Sequence, residues 1–395
     1  MRNDLRDGGL RVLFAGGGSG GHLMPAAATA EAVRAAYPGS RAMFMLTDRR
    51  TDSWCRSAVS DHKMLHLPAV GRHSVGERLR LPFRSLCAAG RVADVVRSFR
   101  PHAVVGLGGS DCAVPVLAAR ALGVRTVLFE ANAVPGRAVR LLAPLADLVV
   151  VQWARAAAGL RARRVLAAGM PVRARLFGVR RERALRRLGL SVRRRTLLVT
   201  GGSQGALTMN RALWEALGAI FEAAPDLQVL HLTGVDHLPA ALEWKESLPV
   251  SSYRPIGFLD RMEDAYAAAD LVVSRSGGST LAELTALGLP AVLIPYPHHV
   301  DEHQQANAEV LSATGAAITI SQSALTAGRL AATVALLAGN DDLLSSMAAA
   351  SQRLGRPRAA FDVAAELGAL AGLSRPKLRS RPDEDTLGKE SLQAA

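Results

Sequence analysis

The residues with the most chemical capacity lie between Leu271 and Asn307, where an apolar stretch, Leu271 to Val273, runs into Ser274-Arg275-Ser276-Gly277-Gly278-Ser279 and on into a segment carrying Glu283. Strand, glycine turn, helix is an anion-binding arrangement. Glycines let the backbone approach a ligand closely, and the free N–H groups and dipole of a helix start favour phosphate oxygens. A sugar nucleotide fits such a turn. Gly288-Leu289-Pro290 reads as the helix stop, and Ala291 to Ile294 as a second strand leading to a polar loop, His298 to Asn307. Gln304, Gln305 and Asn307 could read sugar hydroxyls from that loop. A competing reading is that Thr280-Leu281-Ala282-Glu283 forms a capping box, with the glutamate serving only its own helix start.

A second constellation sits near the N-terminus. Leu10 to Ala15 reads as a buried strand, followed by Gly16-Gly17-Gly18-Ser19-Gly20-Gly21-His22 and a helix from about Pro25 to Ala36. The spacing Gly16-x-Gly18-x-x-Gly21 satisfies the dinucleotide fingerprint, and Asp48 could hold a ribose, so a nicotinamide oxidoreductase is a competing class. A Walker phosphate loop is excluded, since no Gly-Lys-Ser/Thr follows. The oxidoreductase reading gives no role to Gly201-Gly202-Ser203-Gln204-Gly205 or to Arg275 through Glu283. His22 can be a proton acceptor or simply bond nearby backbone.

These loops need elements to position them, and the pattern supplies two sets. Ala103 to Leu107 with Gly108-Gly109-Ser110-Asp111, Thr126 to Phe129 and Leu148 to Val151 continue the first set. Near Gly169-Met170-Pro171-Val172-Arg173 the pattern breaks, and an arginine-rich helix, Arg180 to Leu188, leads to a fresh strand at Thr196 to Thr200. The second set repeats the first, with a helix from about Leu207 to Ala223 and strands near Gln228 to Leu232 and Arg254 to Gly257. The expected fold class is α/β, with two Rossmann-like doubly wound domains in tandem, facing a cleft at the carboxyl ends of their strands. The tail after Ser374, nearly free of large apolar residues, is expected to be disordered.

Composition sets the setting. The 395 residues, 49% hydrophobic, suffice for two cores. No apolar run approaches the roughly 20 residues of a membrane span, and the polar start lacks a signal peptide's apolar core, so a cytoplasmic protein is expected. The three cysteines, Cys55, Cys87 and Cys112, lack metal-ligand spacing and suit a reducing compartment. His298, His299 and His303 read as loop residues, not as a metal site. A formal net charge of +14 implies an anionic partner, and with 4% aromatic residues and no nucleic-acid motif, nucleic acid is disfavoured against a membrane or a phosphorylated ligand. Residues 70 to 100 supply a membrane candidate. Val75, Leu79, Leu81, Phe83 and Leu86 are interleaved with Arg72, Arg78, Arg80, Arg84, Arg91, Arg97 and Arg100, a pattern that can lie on an anionic bilayer or form a solvated helix face.

Taken together the loops resemble the bacterial N-acetylglucosaminyltransferase family called MurG over about residues 10 to 370. The resemblance rests on Gly16 to Gly21 with His22 and Pro25; Gly106-x-Gly108-Gly109; Glu130-x-Asn132-x-x-x-Gly136; Pro171-Val172-Arg173; Gly201 to Gly205; Arg275-Ser276-Gly277 with Thr280 and Glu283; and Asp301 with His303-Gln304 and Asn307. It implies a GT-B architecture and inverting transfer of N-acetylglucosamine from UDP-N-acetylglucosamine to the C4 hydroxyl of muramoyl-pentapeptide on undecaprenyl diphosphate, with no required metal or cofactor. It further implies a peripheral protein at the cytoplasmic face of the membrane. Residues 1–172, with 353–372 packing back on them, would take the acceptor and the membrane, and 173–352 the donor. Glu283 would hold the ribose and Phe258 with Leu259 the uracil. Arg173, Ser203 and Ser276-Gly277 would lie at the diphosphate and Gln304 at the transferred sugar, with Gln204, Arg275 and Thr280 in the same donor set. Gly17, Gly18, Ser19, Gly20, Gly21, Gly108 and Gly109 would receive the lipid diphosphate, and His22 and Asn132 would stand at the acceptor hydroxyl. Val75, Leu79, Arg80, Phe83 and Arg84 would touch the bilayer. Ser110, Ala131 and Met170 depart from the family's usual tyrosine, glutamine and asparagine. An allied transferase acting on diacylglycerol, and a catalytically silent homologue, therefore stay open.

Overall fold

The structure is a computed structural model that describes residues 9–16, 20–46, 63–66, 81–248, 252–297 and 303–376, with 63–66 and 81–86 described as backbone. Seven parallel strands form the first sheet: β1 (Arg11–Ala15), β2 (Arg41–Leu46), β3 (Lys63–His66), β4 (Ala103–Gly106), β5 (Arg125–Glu130), β6 (Leu148–Val151) and β7 (Val165–Leu166). Their order is β3-β2-β1-β4-β5-β6-β7. Six parallel strands form the second: β8 (Arg195–Thr200), β9 (Leu227–Leu232), β10 (Tyr253–Ile256), β11 (Leu271–Ser274), β12 (Ala291–Leu293) and β13 (Ala317–Thr319), ordered β10-β9-β8-β11-β12-β13. Both reverse direction of growth beside their first strand, at β1/β4 and at β8/β11, where a doubly wound sheet opens a crevice at its carboxyl edge.

Helices cover both faces of each sheet, so the strands read as continuous apolar runs rather than alternating ones. Leu-Val-Val-Val in β6 and Leu-Val-Val in β11 are buried throughout. One apolar core runs from the first unit into the second, joining Phe14 and Leu23 to Leu198, Val272 and Leu281. The chain crosses between units at 169–173. It returns after the helix Asp341–Leu354, so that the helix Ala359–Leu370 packs on the helix Gly20–Ala36 of the first unit.

Each sheet fixes a strand start with the same device. Asp147, just before β6, accepts the Thr126 N–H at 2.9 Å, and Asp270, just before β11, accepts that of Thr196 at 2.7 Å. Asp270 also holds Arg181 at 2.6 Å, while Arg187 bonds Asp264 at 3.0 Å, so part of the arginine-rich helix Arg181–Leu188 is tied into the second unit instead of facing an anionic partner.

Two local readings are corrected. The first helix begins at Gly20 rather than near Pro25, which moves His22 onto its first turn. Residues from His303 to Ala313 form a helix, so Gln304, Gln305 and Asn307 are helical and not loop residues. Asp48, Cys55, His298, His299, Asp301 and the tail beyond residue 376 lie outside the described residues.

Candidate functional site

Between the two units lies a cavity of about 310 Å³, walled by Gly21 and Met24 of the first unit, by Arg173 and Arg175 at the crossing, and by the carboxyl edge of the second sheet. Its floor is the start of the helix Gly278–Leu287. The capping-box reading fails there. The N-cap is Gly277, no side chain caps the helix, and Thr280 already sits inside it. The first N–H groups of this helix thus point to the carboxyl edge without a side-chain acceptor, which is the arrangement that accommodates an anion. Gly288, at φ 67°, ends the helix in the left-handed conformation that a side chain would resist.

Glu283 stands half-buried in the cavity wall, where its Oε2 accepts the Tyr266 hydroxyl at 2.8 Å. Burial raises the pKa of its carboxyl, opposed by the charge of Arg173 and the Tyr266 hydrogen bond. Arg173 is 5% exposed, and its Nε has no hydrogen-bond partner among the described residues. Burial and neighbouring Arg175 lower its pKa, while Glu283, Glu263 and Glu31 oppose them. A buried, unpaired guanidinium N–H is costly unless a ligand oxygen meets it. Carboxylate and guanidinium on one wall can together hold vicinal hydroxyls and a phosphate. Phe258, 40% exposed, and Leu259 offer the same cavity an apolar face, and Ser203 and Thr280 line it too.

Other expected donor residues are directed elsewhere. Arg275 turns from the cavity: Nη1 donates to the Ile294 and Pro295 carbonyls at 3.1 and 3.2 Å, Nη2 to Gln322 Oε1 at 2.7 Å, and the guanidinium lies over the Tyr296 ring. It shapes the loop after β12. Ser276 is buried and donates its hydroxyl to the Gln304 carbonyl at 2.7 Å. The Gln304 side chain accepts the Tyr296 N–H at 3.0 Å. Gln204 is exposed and stands outside the cavity wall. Sequence reasoning missed Tyr266, Arg175, Asp260 and Met262 on the wall. Tyr266 and Met262 are revealed only by the placement of helix Met262–Ala268 against the cleft, because no spacing rule marks a lone tyrosine.

On the acceptor side, His22 is half-buried, and a Cβ built on Gly108 would lie 3.6 Å from its Nε2. Burial lowers the imidazole pKa and the charge of Asp111 opposes this. Pro25 has a consequence for the same turn. It carries no N–H, so the Gly21 carbonyl lacks its regular helical partner, and it accepts the Ser279 hydroxyl from the second unit instead. The two glycine turns therefore meet across the cleft. Gly278 approaches the first unit so closely that a Cβ there would fall 2.5 Å from the Ala131 carbonyl oxygen.

The loop after β5 is organised by Glu130, whose Oε1 accepts the backbone N–H and the side-chain Nδ2 of Asn132 at 2.9 and 3.0 Å, and whose Oε2 accepts Gly136 N–H at 2.7 Å. Gly109 and Ser110 are exposed beside it, Ala131 is half-buried, and Met170 is buried with its N–H on Gln152. Gly17, Gly18, Ser19, Val75, Leu79 and Arg80 fall outside the described residues, as do the side chains of Phe83 and Arg84 on the helix Leu81–Phe99.

Comparison with known proteins bears on this geometry. Residues 12–151 match the family model described as Glycosyltransferase family 28 N-terminal domain, and residues 196–363 that of the Glycosyltransferase family 28 C-terminal domain. A protein of Desulforudis audaxviator, named UDP-N-acetylglucosamine--N-acetylmuramyl-(pentapeptide) pyrophosphoryl-undecaprenol N-acetylglucosamine transferase, is 37% identical over 373 residues, covering 92% of this chain and 99% of its own. A Sorangium cellulosum protein of the same name is 36% identical over 389 residues, covering 97% and 93%. The crystal structure of Acinetobacter baumannii MurG superposes with a TM-score of 0.72 at 26% identity, over 91% of this chain and 99% of that one. Two GT-B units with their glycine turns in contact, matched along nearly the whole chain, place this protein in glycosyltransferase family 28, within the MurG group.

Proposed function

We propose that the chain moves N-acetylglucosamine from UDP-N-acetylglucosamine to the C4 hydroxyl of N-acetylmuramoyl-pentapeptide carried on undecaprenyl diphosphate, inverting the anomeric centre. The observation that carries this reading is the cavity in which Glu283, the unpaired Arg173 N–H and an uncapped helix start converge. Similarity over nearly the full length, at 37% and 36% identity, to relatives named for that transfer supports the acceptor.

In this reading residues 1–172, with 353–372, form the acceptor half and 173–352 the donor half. Glu283 accepts from the ribose hydroxyls, Phe258 and Leu259 frame the base, and Arg173, Ser203 and the N–H groups after Gly277 face the diphosphate. Transfer is a single displacement. The acceptor O4 forms a bond to the anomeric carbon as the bond to the diphosphate oxygen breaks, and UDP leaves with the electron pair. Positive character grows on the sugar and negative charge on the diphosphate, so preorganised N–H groups at the helix start stabilise the leaving group. His22 takes the O4 proton, which its lowered pKa permits because the ring is neutral near pH 7. Asn132 orients the hydroxyl. The work takes place at the cytoplasmic face of the membrane, with the protein held peripherally by the apolar and basic stretch around Val75 to Leu86.

The test is to incubate purified protein with lipid-linked muramoyl-pentapeptide or with diacylglycerol, each offered UDP-N-acetylglucosamine, UDP-glucose and UDP-galactose. Transfer of N-acetylglucosamine to the muramoyl lipid alone is the expected result. Transfer to diacylglycerol would move the protein to the allied class, and no transfer to either would make it a binding homologue.

A further inference from the structure

Asn307 is fully buried, and every polar atom of its amide is already committed. Its Oδ1 accepts the Ala133 N–H at 2.7 Å, and its Nδ2 donates to Asn132 Oδ1 at 3.1 Å and to the Ser276 carbonyl at 3.0 Å. The first two partners belong to the loop after β5 in the first unit, and the third to the turn that precedes the helix Gly278–Leu287 in the second. An amide whose two hydrogens are spent on protein oxygens has none to offer a sugar hydroxyl. The expectation that Asn307 reads the sugar from a loop is therefore corrected on both counts.

We infer that Asn307 is a positioning residue that ties the donor-side turn to the acceptor-side loop, so that Asn132 takes its working orientation only when the two units are docked. The inference rests on the donor and acceptor reading given above, and the geometry specifies what the tie does. An asparagine side chain can be turned end for end at little steric cost, so its orientation is set by its hydrogen bonds. Glu130 Oε1 takes Asn132 Nδ2, and Asn307 Nδ2 takes Asn132 Oδ1, which leaves one orientation satisfied at both ends. Glu130 in turn holds the loop through the backbone of Asn132 and Gly136. On the donor side, Ser276 is fixed from two directions, by its carbonyl on Asn307 and by its hydroxyl on Gln304. A continuous run of bonds therefore leads from the turn that faces the diphosphate to the amide that faces the acceptor hydroxyl.

The contact is also selective for a docked arrangement. Gly278 lies against the Ala131 carbonyl, and Ser279 reaches the Gly21 carbonyl that Pro25 leaves available, so among the described residues Asn307 joins these two contacts in bringing the units together around the cleft. Among them it alone reaches Asn132. Groups with two satisfied ends transmit position because breaking either end strands a buried polar atom.

The test uses the full chain and two variants, Asn307→Ala and the near-isosteric Asn307→Asp, read by amide hydrogen exchange and by kinetics. Asn307→Ala should speed exchange of the Ala133 N–H, on the opposite unit, by about tenfold or more, since its buried acceptor is removed. Asn307→Asp keeps an oxygen for that N–H but sets lone pairs against Asn132 Oδ1 and the Ser276 carbonyl, so it should retain much of the protection and still lose activity. For both variants kcat/KM toward the lipid acceptor should fall by about 5- to 150-fold, the usual span of a coupling between sites. Affinities for UDP and for UDP-N-acetylglucosamine should each change less than about threefold. Unchanged exchange across residues 131–136 in Asn307→Ala overturns the inference. So does a selective loss of affinity for UDP-N-acetylglucosamine over UDP, which would make Asn307 a sugar reader. If Asn307→Ala does not fold, the loss of acceptor kcat/KM in Asn307→Asp, with UDP affinity kept, decides. The exchange measurement needs no substrate, so a failure of the proposed reaction would not be mistaken for a failure of this tie.

Discussion

Glu283 shows how one residue can be judged by its partner. As a helix cap it would face the N–H groups of its own first turn; instead it faces Tyr266 and the charge of Arg173 in the cavity wall. Glu283→Gln should raise the KM for the UDP sugar by an amount equivalent to about 1.5 to 3 kcal/mol, the worth of a charge-assisted hydrogen bond, with kcat little changed. A variant that melts lower yet keeps the parental KM would return the residue to structure. His22 permits a second residue-level forecast. Because burial lowers its pKa, the neutral base persists below pH 6.5, and activity is lost only as pH falls through the lowered value. His22→Ala should cut kcat by roughly 10² to 10⁴ with donor affinity kept. Asp111 opposes the lowering, so Asp111→Asn should move the acid limb of the kcat/KM profile to still lower pH. A limb that stays in place, or moves toward neutrality, would show that another group sets it.

At the scale of elements, the second sheet carries a buried polar run that no motif announces. Trp214 Nε1 donates to Tyr253 Oη at 3.0 Å, Tyr253 Oη meets His231 Nδ1 at 2.8 Å, His231 Nε2 meets Asn210 Oδ1 at 3.1 Å, and Asn210 donates to the Thr233 carbonyl at 2.9 Å. Thr233 presses on Gly205, so the run braces the glycine turn that follows β8. Burial drives the His231 pKa down to about 3, which makes the element acid-sensitive in a defined window. Between 6.5 and about 3 the unfolded chain binds a proton that the folded one refuses, so stability is full above 6.5 and falls as pH drops toward about 3. The loss from pH 7 to pH 5 should be about 2 kcal/mol from this group, read by urea unfolding. His231→Gln should lower stability at both pH values and shrink the difference between them by that amount; an undiminished difference would assign the acid sensitivity to other groups.

At the scale of the molecule, membrane attachment and interdomain docking have to be distinguished. Attachment is expected from the apolar and basic stretch around Val75 to Leu86, because neither an apolar insertion nor a basic patch alone holds a protein firmly on a bilayer. Vesicle sedimentation with anionic and neutral lipids should show binding that salt releases and that Arg80→Glu/Arg84→Glu weakens severalfold. Equal sedimentation of parent and variant would place the attachment elsewhere. The basic character of the chain is not all available for that purpose, since Arg125, Arg164, Arg181 and Arg187 are paired with Asp147, Glu366, Asp270 and Asp264.

The two-sheet plan is legible in the sequence, because parallel strands covered on both faces must be continuous apolar runs, and β1, β4, β8 and β11 each run into a turn containing glycine and then a helix. The sequence by itself determined which turns could receive an anion for the same local reason: a glycine followed by a helix start leaves N–H groups without acceptors, whatever lies beyond. Helix limits are legible where a stop is chemical, as at Gly288, and not at the first helix, where Pro25 suggests a boundary although the helix already begins at Gly20. The partners of individual polar side chains emerge only once the chain is folded. Arg275 belongs by resemblance to the donor set, yet carbonyls after β12 and Gln322 lie closer in space and claim it. Asn307 sat in a polar run suited to sugars, and the first unit takes up its amide across 174 and 175 positions of chain. Tyr266 carried no signal until its helix was packed beside Glu283. Hydrogen-bond partners are chosen by distance in space, and periodicity and spacing encode only the partners that are near in sequence.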